Sequence, residues 1–422
     1  MNVELAYGRT HLDLSLPDDV HVDIVEPRCA EELPNAPEVL RCCLRDPIAS
    51  KALKELVRPT DKVGIVFSDI TRPTPNHIIL PVILDELRFV PDEQIVLLNA
   101  TGTHRPNTCE ELGAMLGGEV AGRYRIVQND AGDVRSHELV GTTGSGNPVR
   151  IHREYLSCDV RILTGFIEPH FFAGFSGGPK ACVPGLADLE TIFKNHSPEK
   201  IDNPRARWGV TYGNPPWEEV LEGARMGGPA FMVNVAMNTD KVITGVFAGG
   251  LEKAHAKGCE FVKEKAMVPV DAPYEIVVAS NSGYPADLNL YQAVKAMSAA
   301  YHVVKEGGSI VVAADCWDGI PDHGGFAQLL SSAAGPEELL RTVRSPGFLK
   351  QDMWQAQILA LVRRRADVYF YSRNLTDEQI RNAFLIPCHD IDETVAMLLD
   401  KYGRGARVCV LPQGPQAIPY LK

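Results

Sequence analysis

The chain has 422 residues, 45% of them hydrophobic, which is enough to bury more than one core, and we expect two domains. Its formal net charge of −12 argues against nucleic acid or an anionic membrane as the main partner. No run of eighteen apolar residues occurs, and the start, Met1-Asn-Val-Glu-Leu, lacks the basic and apolar regions of a signal peptide, so we expect a soluble cytoplasmic protein.

Apolar runs alternate with helical patterns along the chain, which is typical of parallel strands in an α/β fold. The first candidate strands, each followed by a polar or glycine-containing loop, are 62–69, 94–100 and 160–164. The rhythm restarts with four further candidate strands at 274–280, 309–314, 368–372 and 408–411. The predicted fold class is α/β, with two domains of mainly parallel sheets flanked by helices and the active site in the interdomain cleft.

A proline-bearing segment, Val268–Pro273, separates the two sets of candidate strands and is the predicted linker. Residues 1–268 are expected to form an N-terminal cofactor-binding and catalytic domain. Residues 274–422 are expected to form a C-terminal domain that closes the cleft.

Ten cysteines are scattered along the chain without a CxxC pair. This pattern favours reduced, mostly buried thiols over a disulfide framework or a zinc ribbon. Cys182 could be a soft metal ligand, although a small buried residue is the more usual role.

The first polar motif, Ser68–Pro75, follows the first candidate strand. Two prolines stiffen this turn, which also contains Asp69 and Arg72. The guanidinium of Arg72 could grip a carboxylate with two hydrogen bonds. The plainer alternative is an Asp–Arg pair that ties down the loop.

The second motif, Ala100–Pro106, follows the next candidate strand, and Gly102 clears space beside His104. Strand ends of this kind are where open parallel sheets bind ligands. A lone histidine in a loop is more often structural or simply solvated.

The third and densest motif, Gly165–Lys180, joins a histidine, a glycine-rich loop and a lysine. His170 should emerge just past the carboxyl end of a strand. The segment is not a Walker loop, because Lys180 is followed by alanine and the glycine spacing differs. A further histidine, His196, follows along the chain.

The glycines of this third motif allow sharp turns and close approach to a ligand, at Gly174, Gly177 and Gly178. Together with Ser176 and the free N–H groups of the loop, they could cradle an anion such as a phosphate. That interpretation leaves Lys180 without a role.

The fourth motif begins the first helix of the second predicted domain, at Asn289–Met297. Tyr291 and Lys295 share a face of this helix, with Gln292 beside them, and the face could close over a substrate. A lysine on a helix is more usually solvated. Trp354, farther along, is most simply a core or interdomain aromatic.

Five motifs occur in a single order: Asp-x-Thr-Arg-Pro-Thr-Pro, Gly-Thr-His-Arg, Glu-Pro-His-x-x-x-Gly-x-Ser-Gly-Gly-x-Lys, Lys-Asn-His and Asn-Leu-Tyr-Gln-Ala-Val-Lys. Together they closely resemble the nickel-pincer lactate racemase family, although each alone is a weak signal. The resemblance runs from Tyr7 through at least Trp354 and implies a racemase that acts on 2-hydroxy acids.

The resemblance implies a cofactor, the nickel-pincer nucleotide, a pyridinium mononucleotide with thioamide and thiocarboxylate groups, attached covalently to Lys180. It makes His196 the protein ligand of the nickel and His104 and His170 the acid/base pair. One imidazole with soft sulfur donors suits a late transition metal. Substrate-binding positions implied in the same way are Arg72, Lys295, Tyr291, Gln292, Phe172 and Trp354. Cofactor-binding positions are Asp69, Thr71, Ser176, Gly177 and Gly178.

The expected partners are a small 2-hydroxy acid, lactate first, and, transiently, the enzymes that synthesise the cofactor, with no nucleic acid and no membrane. Malate, 2-hydroxyglutarate, phenyllactate or a sugar acid are the alternative substrates. The residues alone also allow a zinc hydrolase that uses His104, His170 and His196, with Asp69 or Glu168 as base. A dehydrogenase is disfavoured by the absence of a GxGxxG turn, and a non-catalytic cofactor carrier would not need the histidine pair.

Overall fold

The structure is a computed structural model, which describes residues 1–28, 30–322, 324–403 and 405–422. Its strands are β1 (Asn2–Tyr7), β2 (Thr10–Ser15), β3 (His21–Ile24), β4 (Val63–Ser68), β5 (Ile95–Ala100), β6 (Arg125–Gln128), β7 (His137–Thr142), β8 (Pro148–His152), β9 (Val160–Phe166), β10 (Pro169–His170), β11 (Gly174–Phe175), β12 (Phe231–Met237), β13 (Ile243–Gly249), β14 (Met267–Val270), β15 (Tyr274–Ser280), β16 (Val304–Ala313), β17 (Asp367–Tyr371), β18 (Ile386–Cys388), β19 (Arg407–Leu411) and β20 (Ile418–Leu421).

Its helices are α1 (Ala36–Arg45), α2 (Leu53–Leu56), α3 (Asn76–Glu86), α4 (Cys109–Leu116), α5 (Gly118–Arg123), α6 (Arg153–Leu156), α7 (Leu189–Asn195), α8 (Pro198–Ile201), α9 (Pro215–Gly227), α10 (Leu251–Ala266), α11 (Leu290–Tyr301), α12 (Phe326–Ser331), α13 (Pro336–Val343), α14 (Met353–Arg365), α15 (Asp377–Asn382) and α16 (Ile391–Tyr402). Within the described part of the chain, none of these helices has the length and apolar character needed to span a membrane.

The chain divides into two compact units, each discontinuous in sequence. The first unit comprises Cys29–His196 and Asn203–Glu264. The second unit comprises Met1–Arg28, Ser197–Asp202 and Lys265–Lys422.

The first unit is built on a six-stranded sheet in the order β13-β12-β9-β4-β5-β6, in which only the β12–β13 pairing is antiparallel. Strands β4 and β5 are buried almost throughout, which explains their continuous apolar sequences. From β4, the chain builds outward through β5 and β6 on one side and through β9 and β12 on the other. The carboxyl ends of β4 and β9 therefore flank the point where strand order reverses, the usual ligand site of such sheets.

The second unit has a six-stranded parallel sheet in the order β18-β17-β16-β15-β19-β3. The hairpin of β1 and β2 supplies Leu5, Tyr7 and Leu14 to the same core as Ile276 and Val408. The predicted strands of both halves are confirmed, and so are the α/β class and the mainly parallel sheets.

The observed units differ from the predicted division at two distant segments and at the boundary, which lies after Glu264 rather than after residue 268. Residues 1–28 were predicted in the N-terminal domain, but β3 completes the sheet of the second unit by pairing with β19. Residues 197–202 also belong to the second unit, where Asp202 forms two hydrogen bonds with Arg344. Such pairings join segments far apart in sequence, and a four-residue strand carries too little pattern to reveal its partner.

Six of the nine described cysteines are buried, as the composition predicted, and Cys29 lies outside the described residues. Burial raises the pKa of the Cys182 thiol to about 12. Cys182 is therefore a protonated core residue, and the structure gives no support to a role as a metal ligand.

Candidate active site

Three of the predicted motifs meet at one edge of the sheet in the first unit. Asp69 follows β4, His104 follows β5, and His170 lies just past the end of β9. These three strands are neighbours in the sheet, with β4 in the middle. Parallel pairing brings their carboxyl ends together, so the order of the strands alone gathers the motifs.

Asp69 and His104 form the most clearly defined polar pair of this edge. Nδ1 of His104 lies 2.8 Å from Oδ2 of the buried Asp69 carboxylate, and the hydroxyl of Thr71 donates to Oδ1 at 2.9 Å. Burial alone would raise the pKa of Asp69, but the charges of His104 and Arg72 and the hydrogen bonds from His104 and Thr71 outweigh it and hold the pKa below its ordinary value. An ionised Asp69 accepts from Nδ1–H and directs Nε2 of His104 outward.

The backbone around His104 is held by buried bonds. The hydroxyl of Thr101 donates to the carbonyl of Asn129 at 2.6 Å, and the N–H of His104 donates to the carbonyl of Thr101 at 3.0 Å. Gly102, with φ +58°, donates its N–H to the carbonyl of Gly185 at 3.0 Å. A left-handed residue is needed here, which explains the glycine beside the histidine.

His170 is held in a small aromatic group. Its ring stacks on Phe171, with centroids 4.8 Å apart, and meets Phe172 edge-on at 4.6 Å. Nδ1 accepts from the N–H of Ala173 at 3.2 Å, which places the proton of a neutral imidazole on Nε2. Nε2 lies 3.4 Å from Nζ of Lys180. The lysine and the histidine of the third motif are therefore neighbours in the structure.

Phe172 is the common neighbour of three predicted site residues. Its ring meets His196 edge-on at 4.8 Å, and Nζ of Lys180 lies 5.6 Å from its centroid. The phenyl ring is therefore in contact with the imidazoles of both His170 and His196. His196 is buried at the end of α7, and its neighbour Asn195 donates to Glu219 at 2.9 Å.

We call residues 168–180, which carry His170 and Lys180, the lysine loop. The hydroxyl of Ser176 donates to the carbonyl of Phe166 and accepts from the N–H of Glu168, both at 3.0 Å. These bonds are internal to the protein and show how Ser176 holds the loop closed. The role of Ser176 in cofactor binding stays a prediction.

The glycines of the lysine loop are needed for packing against the protein itself. A Cβ on Gly177, at φ +74°, would lie 2.7 Å from the carbonyl oxygen of Phe166, and one on Gly178, at φ +52°, would collide with the ring of His255. The amide oxygen of Asn234 accepts from the N–H of Gly178 at 2.6 Å. The glycines therefore have a structural explanation that does not depend on a phosphate, and anion binding by this loop stays a prediction.

Arg72 lies in the turn after β4, where its N–H donates to the carbonyl of Asp69 at 3.1 Å. The other predicted residues lie in the second unit. Asn289 caps α11 by accepting from the N–H of Gln292, and Tyr291 and Lys295 follow on the same helix. The indole N–H of Trp354 donates to the hydroxyl of Tyr291 at 3.1 Å. Two of the predicted pocket residues are thus in contact, which explains the burial of Trp354.

The three-histidine zinc site receives no support from the geometry. Within the described residues, the only group of three or more His, Cys, Asp or Glu side chains with ligand atoms within 4.8 Å of one another is the exposed set Glu4, His11 and Asp13. His104, His170 and His196 therefore do not converge on a single ion in this arrangement.

A racemase fold is indicated by comparison with known proteins. The sequence-family model of the lactate racemase N-terminal domain matches residues 7–209. The sequence-family model of the lactate racemase C-terminal domain matches residues 270–418. A lactate racemase of Thermoanaerobacterium thermosaccharolyticum is 36% identical over 99% of both chains, and one of Lactiplantibacillus plantarum is 40% identical over 89% of both.

The solved structures agree with this assignment. The lactate racemase apoprotein from T. thermosaccharolyticum superposes with a TM-score of 0.93 at 36% identity, covering 99% of this chain and 100% of that one. A Thermotoga maritima protein shares the fold, with a TM-score of 0.72 at 19% identity and coverage of 93% and 100%. The chain belongs to the lactate racemase family, and it is an isomerase of the racemase class.

The sequence analysis did not identify the residues that pack against the lysine loop and His170. His255 and Asn234 contact the glycines of the lysine loop, and Phe171 stacks on His170. Phe171 adjoins a predicted residue and could have been included. His255 and Asn234 lie far along the chain within ordinary amphipathic and strand patterns, and no local signal marks them.

Proposed function

We propose that this racemase interconverts the enantiomers of a small 2-hydroxy acid, lactate first, with a nickel-pincer nucleotide attached to Lys180. The observation that carries the proposal is that His104 and His170 follow strands of one sheet that both adjoin β4, with Lys180 3.4 Å from His170. The names of the relatives, which are lactate racemases at 36% and 40% identity, support lactate as the first substrate to test.

The residues present fit the proposed group. Attachment needs an amine, and Nζ of Lys180 lies 3.4 Å from Nε2 of His170. Metal binding needs a donor close to that amine, and His196 touches the same phenyl ring as Lys180 and His170. A single imidazole cannot complete a coordination sphere, so the other donors must come from the group itself, and soft sulfur donors suit nickel.

Hydride transfer avoids the main chemical difficulty of this reaction, which is removal of the Cα hydrogen as a proton. The Cα–H beside an ionised carboxylate is very weakly acidic, so simple deprotonation is unfavourable. When bound, the group supplies a hydride acceptor for that hydrogen. The protein must then remove a proton from the hydroxyl, hold the resulting planar 2-keto acid, and return the proton after the carbonyl has turned over.

The two histidines serve opposite enantiomers, because the hydroxyl groups of the enantiomers point in different directions. Asp69 holds Nδ1–H of His104, so that Nε2 takes or returns the proton. His170 has the complementary arrangement, with Nδ1 occupied by Ala173 N–H and Nε2 directed into the site. Each ring is thus presented through the same nitrogen, Nε2, as an acid for one enantiomer and a base for the other.

Substrate positioning completes the proposal. Arg72 anchors the carboxylate while the keto acid reorients, and Lys295 orients the hydroxyl, with Gln292 beside it. The substituent on Cα, a methyl group in lactate, is proposed to contact the aromatic residues Phe172, Tyr291 and Trp354. Asp69, Thr71, Ser176, Gly177 and Gly178 are proposed to border the nucleotide, and the cofactor-synthesis enzymes are proposed as transient partners.

The test is intact-mass spectrometry and metal analysis of the chain co-expressed with cofactor-synthesis enzymes, followed by racemisation assays from each lactate enantiomer. The expected result is a nucleotide adduct on Lys180, nickel in matching amount, and racemisation in both directions. An active chain that carries no adduct on Lys180 would overturn the proposal. An adduct with no action on lactate would keep the cofactor and move the search to larger 2-hydroxy acids.

A further inference from the structure

His255 is a buried histidine that the proposed reaction does not use. It lies on α10 and is 1% exposed, and its Nε2 is 2.9 Å from the carbonyl oxygen of Ser176 in the lysine loop. Its ring is nearly parallel to that of Trp217, with centroids 6.2 Å apart. A titratable side chain with no access to water and with specific partners needs a structural or functional reason.

The protonation state of His255 follows from its surroundings. Burial lowers its pKa to about 4, against the smaller opposing effect of the Ser176 bond, so the ring is neutral near pH 7. Because a carbonyl can only accept, the single proton is on Nε2. Nδ1 is then the unprotonated nitrogen, and Sγ of Cys259, one helical turn farther on, lies 3.5 Å from Nδ1 and 3.6 Å from Nε2.

Helix α10 also approaches the lysine loop unusually closely. Gly178 has no side chain, and the ring of His255 occupies the place where its Cβ would stand. Gly258, one turn beyond His255, similarly leaves room for the side chain of Ile167, the residue just before the loop. Two glycines, one on each partner, therefore allow the helix and the loop to pack with His255 between them.

The turn before Lys180 is fixed at successive points. The carbonyl of Ser176 is held by His255, and the N–H of Gly178 is held by Asn234 at 2.6 Å. Pro179 has a restricted φ, and the N–H of Lys180 closes the turn on the carbonyl of Gly177 at 3.1 Å. Few backbone rotations remain between the buried histidine and the lysine.

From this arrangement we infer that His255 is a positioning residue for Lys180, which it holds facing His170 by anchoring the Ser176–Gly178 turn. The inference rests on the proposed function, because it concerns the lysine to which the cofactor is proposed to be attached. His255 itself touches neither substrate nor cofactor in this account. Its contribution is to place the amine before the covalent bond forms.

The first readout needs no cofactor. In the full-length chain expressed without the synthesis enzymes, reductive methylation with formaldehyde gives the labelling rate of Lys180, read by peptide mass spectrometry against the exposed Lys51. The variants are His255→Gln, whose amide nitrogen can occupy the place of Nε2, and His255→Asn, whose shorter amide cannot. Val262→Ala removes buried volume from the same helix and is the matched control.

His255→Gln should keep the wild-type ratio of Lys180 labelling to Lys51 labelling, and the pH dependence of that ratio. His255→Asn should change the ratio by a factor of roughly ten or more. Val262→Ala should lower thermal stability without moving the ratio. Unchanged labelling of Lys180 in a folded His255→Asn protein would overturn the inference. So would a change in the labelling ratio of the same size in His255→Asn and Val262→Ala.

A second measurement uses the wild-type chain and does not depend on whether a variant folds. Nitrogen-15 NMR of the labelled histidines should show His255 as the neutral Nε2–H form from pH 6 to 8. An Nδ1–H form would remove the bond to Ser176 and overturn the inference. A missing adduct on wild-type Lys180 after co-expression would end the proposed function while leaving both measurements readable.

Discussion

Nδ1 of His104 lies 2.8 Å from the carboxylate of Asp69, which is buried and receives a second hydrogen bond from Thr71. The pair joins the ends of two neighbouring strands, β4 and β5. It favours the Nδ1–H tautomer of His104 and leaves Nε2 as the nitrogen that would exchange protons with a substrate in the proposed reaction. Loss of the Asp69 charge should therefore change the protonation of Nε2, the nitrogen on the opposite side of the His104 ring.

Asp69→Asn should lower kcat for racemisation by about a hundredfold or more, because an amide can stabilise the wrong tautomer of His104. Steady-state kinetics from both lactate enantiomers would measure the effect. Asp61→Asn is the matched control, since Asp61 is a buried aspartate paired with Arg58 before the start of β4. An Asp69→Asn enzyme as active as the control would contradict the role of the pair.

The same carboxylate should make stability depend on pH. The folded pKa of Asp69 lies below its ordinary 3.8, so the ionised form stabilises the native state at neutral pH. This contribution is complete above about pH 4 and is lost as the pH falls through the folded pKa. Urea unfolding at several pH values should show the advantage of the wild type over Asp69→Asn shrinking below pH 4; an advantage that grew there would refute the assignment.

His255 should give a second and separate acid sensitivity. Its pKa falls from 6.5 in the unfolded chain to about 4 in the native protein, so the unfolded state binds one more proton between these values. Stability should therefore decrease as the pH falls from 6.5 towards 4, by up to about 3 kcal/mol for this group. In His255→Gln this proton uptake should be absent, and an unchanged pH slope would show that the ring is not buried as a neutral group.

Packing between Gly178 and His255 can be tested by a double-mutant cycle. Gly178→Ala should cost about 3 kcal/mol, since the new Cβ meets the imidazole and the residue has φ +52°. Adding His255→Ala should recover part of that loss, because the ring is the obstacle. Gly177→Ala should not be rescued in the same way, as its Cβ would meet the carbonyl of Phe166. Additive effects at positions 178 and 255 would mean that the two residues are not in contact.

Metal analysis distinguishes residues needed to retain nickel from residues needed only for racemisation. Lys180→Ala and His196→Ala should abolish nickel retention, because one removes the proposed attachment point and the other the proposed protein ligand. His104→Ala and His170→Ala should keep nickel and lose racemisation by at least about a hundredfold. Nickel bound in full by Lys180→Ala would rule out a cofactor that depends on this lysine.

Much of the fold was accessible from the sequence. Fully buried parallel strands such as β4 and β5 are continuous apolar runs, and the polar residues after them mark the edge of the sheet where ligands bind. The positions of Asp69, His104 and His170 at that edge follow from this pattern. Their exact partners do not, since Asp69 could equally have paired with Arg72 in the same turn.

Other features depend on contacts between distant segments. Strand β3 has only four residues and joins a sheet formed by a segment almost the whole chain away, so its pattern could not show to which unit it belongs. The glycines at 177 and 178 suggested an anion cradle because the residues opposite them, Asn234 and His255, were unknown. A glycine shows that something comes close, but its sequence neighbours do not identify what that is.

The most direct test of the proposed reaction is racemisation of lactate carrying deuterium on Cα in ordinary water, followed by mass spectrometry of the product enantiomer. Hydride transfer, with His104 and His170 moving only the hydroxyl proton, predicts that the deuterium is retained on Cα. Loss of the deuterium to solvent at the rate of racemisation would contradict this account and show that a base removes the Cα hydrogen as a proton.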